Sequence, residues 1–184
     1  MIQVENTLLL VIDFQDRLVP AMYDCDELAR KAEIIITGCR MLDIPVLTTQ
    51  QYTKGLGDTV ECVKNALGEF EAIEKMTFSC YGEPEFAKKL SKSWRKNVVV
   101  TGIEAHICVQ QTVLDLLENG YNVYVVADCI GSRSESDRVY AERRMQNAGA
   151  VVTTMESVLF ELLVSAEHPK RKEISNLIVT TQKR

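Results

Sequence analysis

Short runs of uninterrupted apolar residues alternate along this chain with longer segments of helical periodicity. Residues 8–12 form such a run, Leu-Leu-Leu-Val-Ile, which ends at Asp13. Runs of this kind are typical of parallel strands, because helices cover both faces of a parallel sheet. Residues 26–42 follow with apolar side chains every three or four positions, which indicates a helix. The alternation predicts an α/β fold with a mostly parallel sheet, since parallel strands need crossover connections.

The same pattern continues to the end of the chain. We predict strands at residues 8–13, 44–48, 71–75, 98–101, 123–127 and 150–153, and helices at 26–42, 83–91, 106–119, 134–147, 155–164 and 170–180. Residues 50–59 carry two glycines and are expected to form a loop. The strand at 71–75 is short and is predicted to lie at an edge of the sheet. Neither a linker nor a repeat interrupts the pattern, so we expect one domain over residues 1–184.

Charge and cysteine content restrict the function classes. The formal net charge is -5, which gives the chain as a whole no basic footprint for nucleic acid or an anionic membrane. No apolar run approaches the roughly 20 residues that a membrane helix needs. The apolar run near the N-terminus lacks the flanks of a signal peptide and is interpreted as a strand. Six cysteines without a C-x-x-C pair favour neither zinc binding nor a disulfide framework, and we expect a cytoplasmic, reducing location.

Three residues with complementary chemistry follow predicted strands. Asp13 ends the first strand, Lys75 ends the edge strand, and Cys108 comes shortly after the strand at 98–101. The carboxyl ends of parallel strands share one edge of the sheet, where functional residues collect. A thiol beside an ammonium and a carboxylate has the parts of an activated nucleophile. Each residue alone is better explained by a structural role, as a turn former, a solvated charge or a small core residue.

Cys108 lies where a strand passes into a helical pattern. Unpaired N–H groups and the positive end of the helix dipole favour a thiolate at that position. We therefore expect a lowered thiol pKa, and we expect Asp13→Asn and Lys75→Ala to slow alkylation of Cys108 at neutral pH. The alternative, a buried and inert cysteine, stays open. His106 is the main rival to Asp13 as the base.

Several segments of the chain, taken together and in this order, resemble the isochorismatase-like cysteine hydrolase family. They are LLLVIDFQDRL at 8–18, QYTKGLGDTV at 51–60, EKMTFSC at 74–80, VVVTGIEAHICVQQTVLDLLENGY at 98–121 and VVADCIGSRSESDR at 125–138. The second and last of these segments look most like the subgroup of isochorismatase-domain-containing proteins, whose substrates are generally not assigned.

The resemblance implies a three-layer α/β/α sandwich of the Rossmann-like, isochorismatase-like hydrolase fold. It also implies a catalytic triad of Asp13, Lys75 and Cys108 that hydrolyses a C–N bond, in an amide or carbamoyl group, through a covalent thioester. The family has a cis peptide shortly before the cysteine, which here is Ile103–Glu104. That bond would aim the N–H of Glu104 beside the N–H of Cys108, as an oxyanion hole.

Departures from the family pattern narrow the function. Nicotinamidases of this family carry histidine metal ligands after the second strand, where this chain has no histidine, so we expect no metal and no cofactor. A vinyl-ether hydrolase of the isochorismate type stays an alternative, and so does an idle binding or scaffold protein. A dinucleotide-binding protein is disfavoured, because no G-x-G-x-x-G follows the first strand.

The expected ligand is a small molecule, with neither nucleic acid nor membrane as a partner. Six residues are candidates for substrate contact because they border the predicted catalytic positions: Phe14, Gln15, Gln51, Tyr52, Phe78 and His106. Arg133 could bind an anionic substrate, but a surface ion pair is the favoured interpretation. The resemblance implies a homo-oligomer, a dimer or larger.

Overall fold

Six parallel strands form a single sheet. The computed structural model describes residues 2–182. The strands are β1 (Thr7–Ile12), β2 (Val46–Gln51), β3 (Ala72–Lys75), β4 (Asn97–Ile103), β5 (Asn122–Gly131) and β6 (Val151–Thr153). Their order is β3-β2-β1-β4-β5-β6, and every neighbouring pair is parallel. The predicted parallel α/β fold is confirmed, and β3 lies at an edge as expected.

Helices cover both faces of the sheet. They are α1 (Cys25–Met41), α2 (Thr53–Leu56), α3 (Glu61–Leu67), α4 (Pro84–Lys92), α5 (Gln110–Glu118), α6 (Glu135–Asn147), α7 (Met155–Leu163) and α8 (Arg171–Gln182). Helices α1, α3, α7 and α8 pack in one core, and α4, α5 and α6 pack in a second. These two cores make the three-layer sandwich. Within residues 2–182, no helix has both the length and the apolarity to cross a bilayer.

Strand β1 lies between β2 and β4 in the middle of the sheet, and all six of its residues are therefore buried. Leu9 and Val11 contribute to the core on the α1 side, whereas Leu8, Leu10 and Ile12 contribute to the core on the α5 side. This period-two alternation on a strand with two apolar faces explains why the sequence shows an unbroken apolar run. It also delivers Asp13 to the centre of the carboxyl edge of the sheet.

The structure differs from the predicted elements in three places. β2 continues to Gln51, and the predicted loop at 50–59 contains the short helix α2. Helix α3 was not predicted, because seven residues give too few turns for a clear periodicity. β5 runs on to Gly131, since it resumes pairing with β4 after a register shift. Residues 1, 183 and 184 of the predicted domain lie outside the described residues.

Candidate active site

Three chain segments bring the predicted catalytic residues to the carboxyl edge of the sheet. Asp13 follows β1, Lys75 is the last residue of β3, and Cys108 belongs to a π-helical turn, Ala105–Val109, that follows β4. Asp13 has a φ of 55°, in the left-handed region that residues other than glycine seldom occupy. The chain therefore leaves β1 with a sharp turn at the carboxylate itself, as is common at functional sites.

Asp13 and Lys75 form a buried ion pair. The Lys75 Nζ lies 2.7 Å from Asp13 Oδ2, and both side chains are fully inaccessible to solvent. The other carboxylate oxygen, Oδ1, accepts a hydrogen bond of 2.8 Å from Thr49 Oγ1. Burying two charges costs several kcal/mol per ion, which is recovered only when the geometry is good and further hydrogen bonds satisfy both groups. Hydrogen bonds satisfy Lys75 and Asp13 Oδ1, whereas Asp13 Oδ2 forms none within residues 2–182 and is held by the charge of Lys75.

The ammonium of Lys75 is surrounded by oxygen atoms. It donates to Gln51 Oε1 at 2.7 Å, to the Phe78 carbonyl at 3.0 Å and to the Thr77 carbonyl at 3.3 Å, besides its contact with Asp13. Burial alone would lower the pKa of Lys75, but the charge of Asp13 raises it above its ordinary value. Lys75 is therefore a fixed cation and a poor proton donor.

Cys108 faces this ion pair, with 7% of its surface exposed. Burial above all, together with the charge of Asp13 and against the effect of Lys75, raises the pKa of the Cys108 thiol to about 12. A hydrogen-bonding interaction with Asp13 contributes to the same rise. Burial also raises the pKa of Asp13, against the effect of Lys75, which makes this carboxylate a better proton acceptor.

The expected low thiol pKa is therefore wrong. Desolvation disfavours the thiolate more strongly than the lysine favours it, so Cys108 rests as a thiol. The predicted helix N-terminus is also displaced, because Cys108 lies within the π turn and α5 begins only at Gln110. The predicted effect of Asp13→Asn on alkylation consequently changes sign, whereas that of Lys75→Ala does not.

The turn that carries Cys108 has an unusual hydrogen-bond pattern. The Glu104 carbonyl accepts hydrogen bonds from the N–H groups of Ile107 and Val109, at 3.0 and 3.2 Å. These two residues flank Cys108 in the turn. The expected cis peptide is present between Ile103 and Glu104. Gly102 precedes it with a φ of 144°, and a Cβ there would lie 2.4 Å from the Ile12 carbonyl oxygen, so no larger residue fits between β1 and β4.

Two of the predicted substrate-contact residues have structural roles. Gln15 is fully buried, and its Nε2 donates to the carbonyls of Gln51 and Gly57 at 3.0 and 2.7 Å. Its Oε1 accepts the Gln51 N–H at 2.7 Å, so the side chain continues the hydrogen bonding of β2. Gln51 in turn donates to the Met76 carbonyl at 3.0 Å and holds the lysine ammonium.

The remaining candidates are divided between core and surface. Phe14 is 1% exposed and packs in the core on the α1 side, so the structure does not bring its ring to Cys108. Tyr52 and Phe78 are 45% and 54% exposed, and the Phe78 carbonyl contacts Lys75. His106 Nδ1 lies 2.9 Å from Ser132 Oγ, which ties its ring to the turn after β5.

Sequence analysis missed a second buried thiol in the site. Cys80 Sγ lies 3.6 Å from Thr49 Oγ1, the same hydroxyl that donates to Asp13. Thr112 Oγ1 accepts the Cys80 N–H at 2.9 Å and donates to the Cys108 carbonyl at 2.6 Å. Burial raises the pKa of Cys80 to about 11. Only the position of Thr49 at the end of a predicted strand could have indicated this network.

An ion pair forms at Glu104, the residue that follows the cis peptide bond. Arg133 Nε lies 2.9 Å from Glu104 Oε2, and the arginine side chain is largely exposed, whereas the glutamate is nearly buried. The predicted surface ion pair of Arg133 is thus present. Among residues 2–182, no three His, Cys, Asp or Glu side chains come together as a metal-binding group.

Residues 7–157 match the model of the isochorismatase domain. The chain belongs to the isochorismatase family. It is 40% identical over 173 residues to isochorismatase domain-containing protein 1 of Salmo salar, which covers 94% of this chain and 61% of that protein. Isochorismatase family protein 1A of Dictyostelium discoideum is 34% identical over 97% of this chain and 87% of its own length. This chain therefore spans about three fifths of the Salmo salar relative.

A solved structure gives the same result for the fold. The structure named MAR1 ribonuclease from Caenorhabditis elegans is 41% identical to this chain and superimposes with a TM-score of 0.90 over 97% of this chain and 92% of its own. The predicted family and the three-layer α/β/α architecture are both confirmed. The chain has the fold of an isochorismatase-family hydrolase.

Proposed function

We propose that this protein hydrolyses a C–N bond, in an amide or carbamoyl group of a small molecule, with Cys108 as the nucleophile. The observation that carries the proposal is the buried Asp13–Lys75 ion pair at 2.7 Å, with the Cys108 thiol against it. A purely structural role offers no reason to bury a carboxylate and an ammonium beside a thiol, because such burial is costly. A proton transfer from sulfur to carboxylate supplies that reason.

The proposed reaction begins with a thiol. As Cys108 Sγ forms a bond to the substrate carbonyl carbon, its proton passes to Asp13, and the carbonyl π electrons move to the oxygen. The tetrahedral intermediate then collapses, the C–N bond breaks, and Asp13 returns the proton to the leaving nitrogen. A water molecule attacks the resulting thioester and gives one proton to Asp13. Breaking the C–S bond releases the acid, and the proton returns to the sulfur.

Lys75 acts in this scheme through its charge. Its ammonium is held by four oxygen atoms and keeps its own proton, because Asp13 raises its pKa. It stabilises the thiolate that develops during the attack and orients the carboxylate toward the sulfur. Gln51 fixes the ammonium and acts as a positioning residue, without contact with substrate.

Backbone N–H groups are the proposed oxyanion hole. The N–H of Cys108, in the turn that carries the nucleophile, is one donor in the proposal. The N–H of Glu104 is the second donor in the proposal. Two such donors, preorganised where the negative charge develops, are worth roughly a hundredfold or more each in rate.

The rim of the site favours a substrate with an apolar body. Tyr52 and Phe78 are large, half-exposed rings that follow β2 and β3, and we assign them as walls of the substrate site. We assign His106 to the opposite wall, where its contact with Ser132 fixes the ring. The cationic group that we assign to this rim, Arg133, is already paired with Glu104.

The relative from Caenorhabditis elegans is named a ribonuclease, so RNA must be tested as a substrate. A phosphodiester in the site would need cations around the reacting group, and Arg133 is balanced by Glu104. The geometry therefore supports acyl chemistry better than phosphodiester chemistry. Vinyl-ether hydrolysis would use Asp13 without the sulfur, and the buried thiol at Cys108 favours the covalent reaction over it.

The proposal is tested with a panel of small amides and carbamoyl compounds, together with isochorismate and single-stranded RNA. We expect an acyl adduct on the peptide that contains Cys108, detected by mass spectrometry after acid quench, and loss of turnover in Cys108→Ala. Cys25→Ala is the matched control and should retain full activity, because Cys25 lies at the start of α1, outside the site. Turnover that survives Cys108→Ala would contradict the covalent mechanism.

Two further statements belong to the proposal. We expect self-association, measured by light scattering on the full chain. We also place the protein in a reducing compartment such as the cytoplasm, since all six cysteines, including Cys108, are free thiols.

A further inference from the structure

A cationic turn lies at the end of the sheet opposite the catalytic residues. Residues 88–96, which close α4 and lead into β4, contain five Lys and Arg side chains and no acidic one, in a chain of net charge -5. Trp94, the single tryptophan of the protein, lies in the middle of this segment. We call residues 88–96 the Trp94 turn.

Trp94 is exposed to an unusual degree. Its relative exposure is 89%, and its φ of 57° places the backbone in the left-handed region. Tryptophan is highly buried on average, because its ring is the largest apolar group among the side chains. A ring with nine tenths of its surface in solvent protrudes from the protein and has no walls beside it.

The cations around this ring are only partly balanced. Lys89 is neutralised by Glu71 and Glu85, each at 2.9 Å. Lys96 Nζ lies 5.0 Å from the centre of the Tyr121 ring, a neutral partner. Arg95 donates to the Val4 carbonyl, a neutral partner. Their charges remain available to an anionic partner.

Lys88 and Lys92 complete the charged surface. They lie four residues apart on α4 and therefore share one face of the helix, and both are exposed. Four cations thus lie within six residues of one protruding indole, although the charge of the whole chain is negative. Exposed charges more than about 8–10 Å away are largely screened at physiological ionic strength, so the local surface decides the interaction.

We propose that the Trp94 turn binds an anionic lipid bilayer, with Trp94 in the headgroup region and the lysines against acidic headgroups. Indole prefers that interface, since it has an apolar body and one N–H donor. Each basic residue near an anionic membrane contributes modestly and additively to binding. The proposal concerns binding at the membrane surface and is independent of the proposed catalytic chemistry.

The shape of the turn favours a bilayer over single-stranded nucleic acid. Nucleic-acid sites of this kind combine a cationic groove with several aromatic side chains on which successive bases stack. Trp94 is a lone protruding ring without walls, which suits a broad, deformable surface. The expectation of no membrane partner came from net charge, which does not reveal a cationic surface of nine residues.

Because Trp94 is the single tryptophan, its fluorescence reports on this turn alone. We expect a blue shift on adding vesicles with about a third phosphatidylserine, no shift with pure phosphatidylcholine, and reversal by high salt. Lys88→Gln combined with Lys92→Gln should weaken binding to the anionic vesicles roughly 30-fold. The matched control, Lys54→Gln with Lys172→Gln, removes the same charge elsewhere and should bind as the parent does.

Trp94→Ala is followed by co-sedimentation with the vesicles and should bind more weakly, with unchanged far-ultraviolet circular dichroism. Three results would overturn the proposal: no blue shift with anionic vesicles, equal weakening in both lysine pairs, or a shift that depends on protein concentration alone. Quenching by a single-stranded oligonucleotide, without any response to vesicles, would assign the turn to nucleic acid and refute the membrane.

Discussion

Replacing Asp13 with asparagine separates the two roles that a carboxylate can have beside a thiol. If Asp13 activated Cys108 at rest, Asp13→Asn would slow both alkylation and turnover. The structure predicts a different outcome for alkylation, because the charge of Asp13 raises the pKa of Cys108. We therefore expect Asp13→Asn to speed alkylation by iodoacetamide at neutral pH while it abolishes turnover. A general loss of structure would not be expected to raise the rate of alkylation of Cys108 while it lowers the rate of turnover.

The rate at which Cys108 is alkylated in the native protein follows from its thiol pKa of about 12. At pH 7 about one molecule in 100,000 carries the thiolate, compared with about 3% for an unperturbed thiol. A more basic thiolate is a better nucleophile, with a Brønsted coefficient of about 0.4–0.5, which recovers about half of this loss on a logarithmic scale. We expect Cys108 in the native protein to react about a hundredfold more slowly than a free cysteine.

The effect of the substitution is worked from the charge that it removes. A unit charge about 4–5 Å from the sulfur, at an effective dielectric constant of about 20, is worth about 3–4 kcal/mol, or 2–3 pKa units. Part of this fall is offset, because a buried Lys75 without its counterion has a lower pKa and holds its own proton less firmly. A net fall of about one to two units in the pKa of Cys108, scaled by the nucleophilicity of the sulfur, speeds alkylation about three- to tenfold.

The assay is pH-controlled labelling with iodoacetamide, quantified for the peptides that contain Cys108 and Cys25. Cys25 lies at the start of α1, and its labelling should be equal in both proteins, which controls for reagent and folding. Turnover of the best amide should fall by a factor of about 100 or more, since general base catalysis is lost. If alkylation of Cys108 slows in Asp13→Asn, the inferred resting thiol is wrong.

Three more predictions concern Gln51 and Thr49 in the site and two buried thiols in the core on the α1 side. Gln51→Leu leaves the buried lysine ammonium without one acceptor and should lower the free energy of unfolding by about 1–3 kcal/mol in urea titrations, and an unchanged midpoint would contradict that role. Burial raises the pKa of Cys39 to about 12 and that of Cys129 well above its ordinary value, so the unfolded chain ionises first as pH rises. Stability should fall between about pH 9 and 11, by up to about 1.4 kcal/mol per pH unit for each thiol, whereas a flat profile would refute this. Because the pKa of Asp13 is raised, the acid limb of kcat/KM should lie above pH 4, and Thr49→Val should move it higher still, since the valine no longer stabilises the carboxylate. A limb at or below the ordinary aspartate value would show that Asp13 is not the base.

The sheet could be predicted from the sequence because each central strand carries its signal locally. The apolar run before Asp13 and the run before Gly102 are continuous, and both strands are buried on two faces. Helix α3 was missed because its two turns bury only Val63, Ala66 and Leu67. A pattern of three apolar residues is too short to be distinguished from a loop.

The site was predictable in its positions and unpredictable in its contacts. Asp13 and Lys75 were expected at one edge of the sheet, because parallel strands end there, and they lie 2.7 Å apart. The amides of Gln15 and Gln51 were expected to contact substrate, yet they bind backbone carbonyls and the ammonium. Such partners are distant in sequence, and no local pattern of residues specifies them.

The resting state of Cys108 could not be predicted because it is a balance of opposing effects. The sequence pattern predicts a cation, an anion and a helix near the sulfur, and the cation and the helix favour the thiolate. Burial outweighs them, and its size depends on how completely the surrounding chain excludes water.

A resting thiol at Cys108 has a catalytic advantage. A neutral thiol beside an ion pair adds no third charge to a buried site at rest, and the proton that leaves the sulfur neutralises Asp13 at the moment when negative charge moves to the substrate oxygen. The Lys75 ammonium, then without a charged partner, stabilises the thiolate and the tetrahedral intermediate more strongly than it stabilises the resting thiol, which is the condition for lowering a barrier.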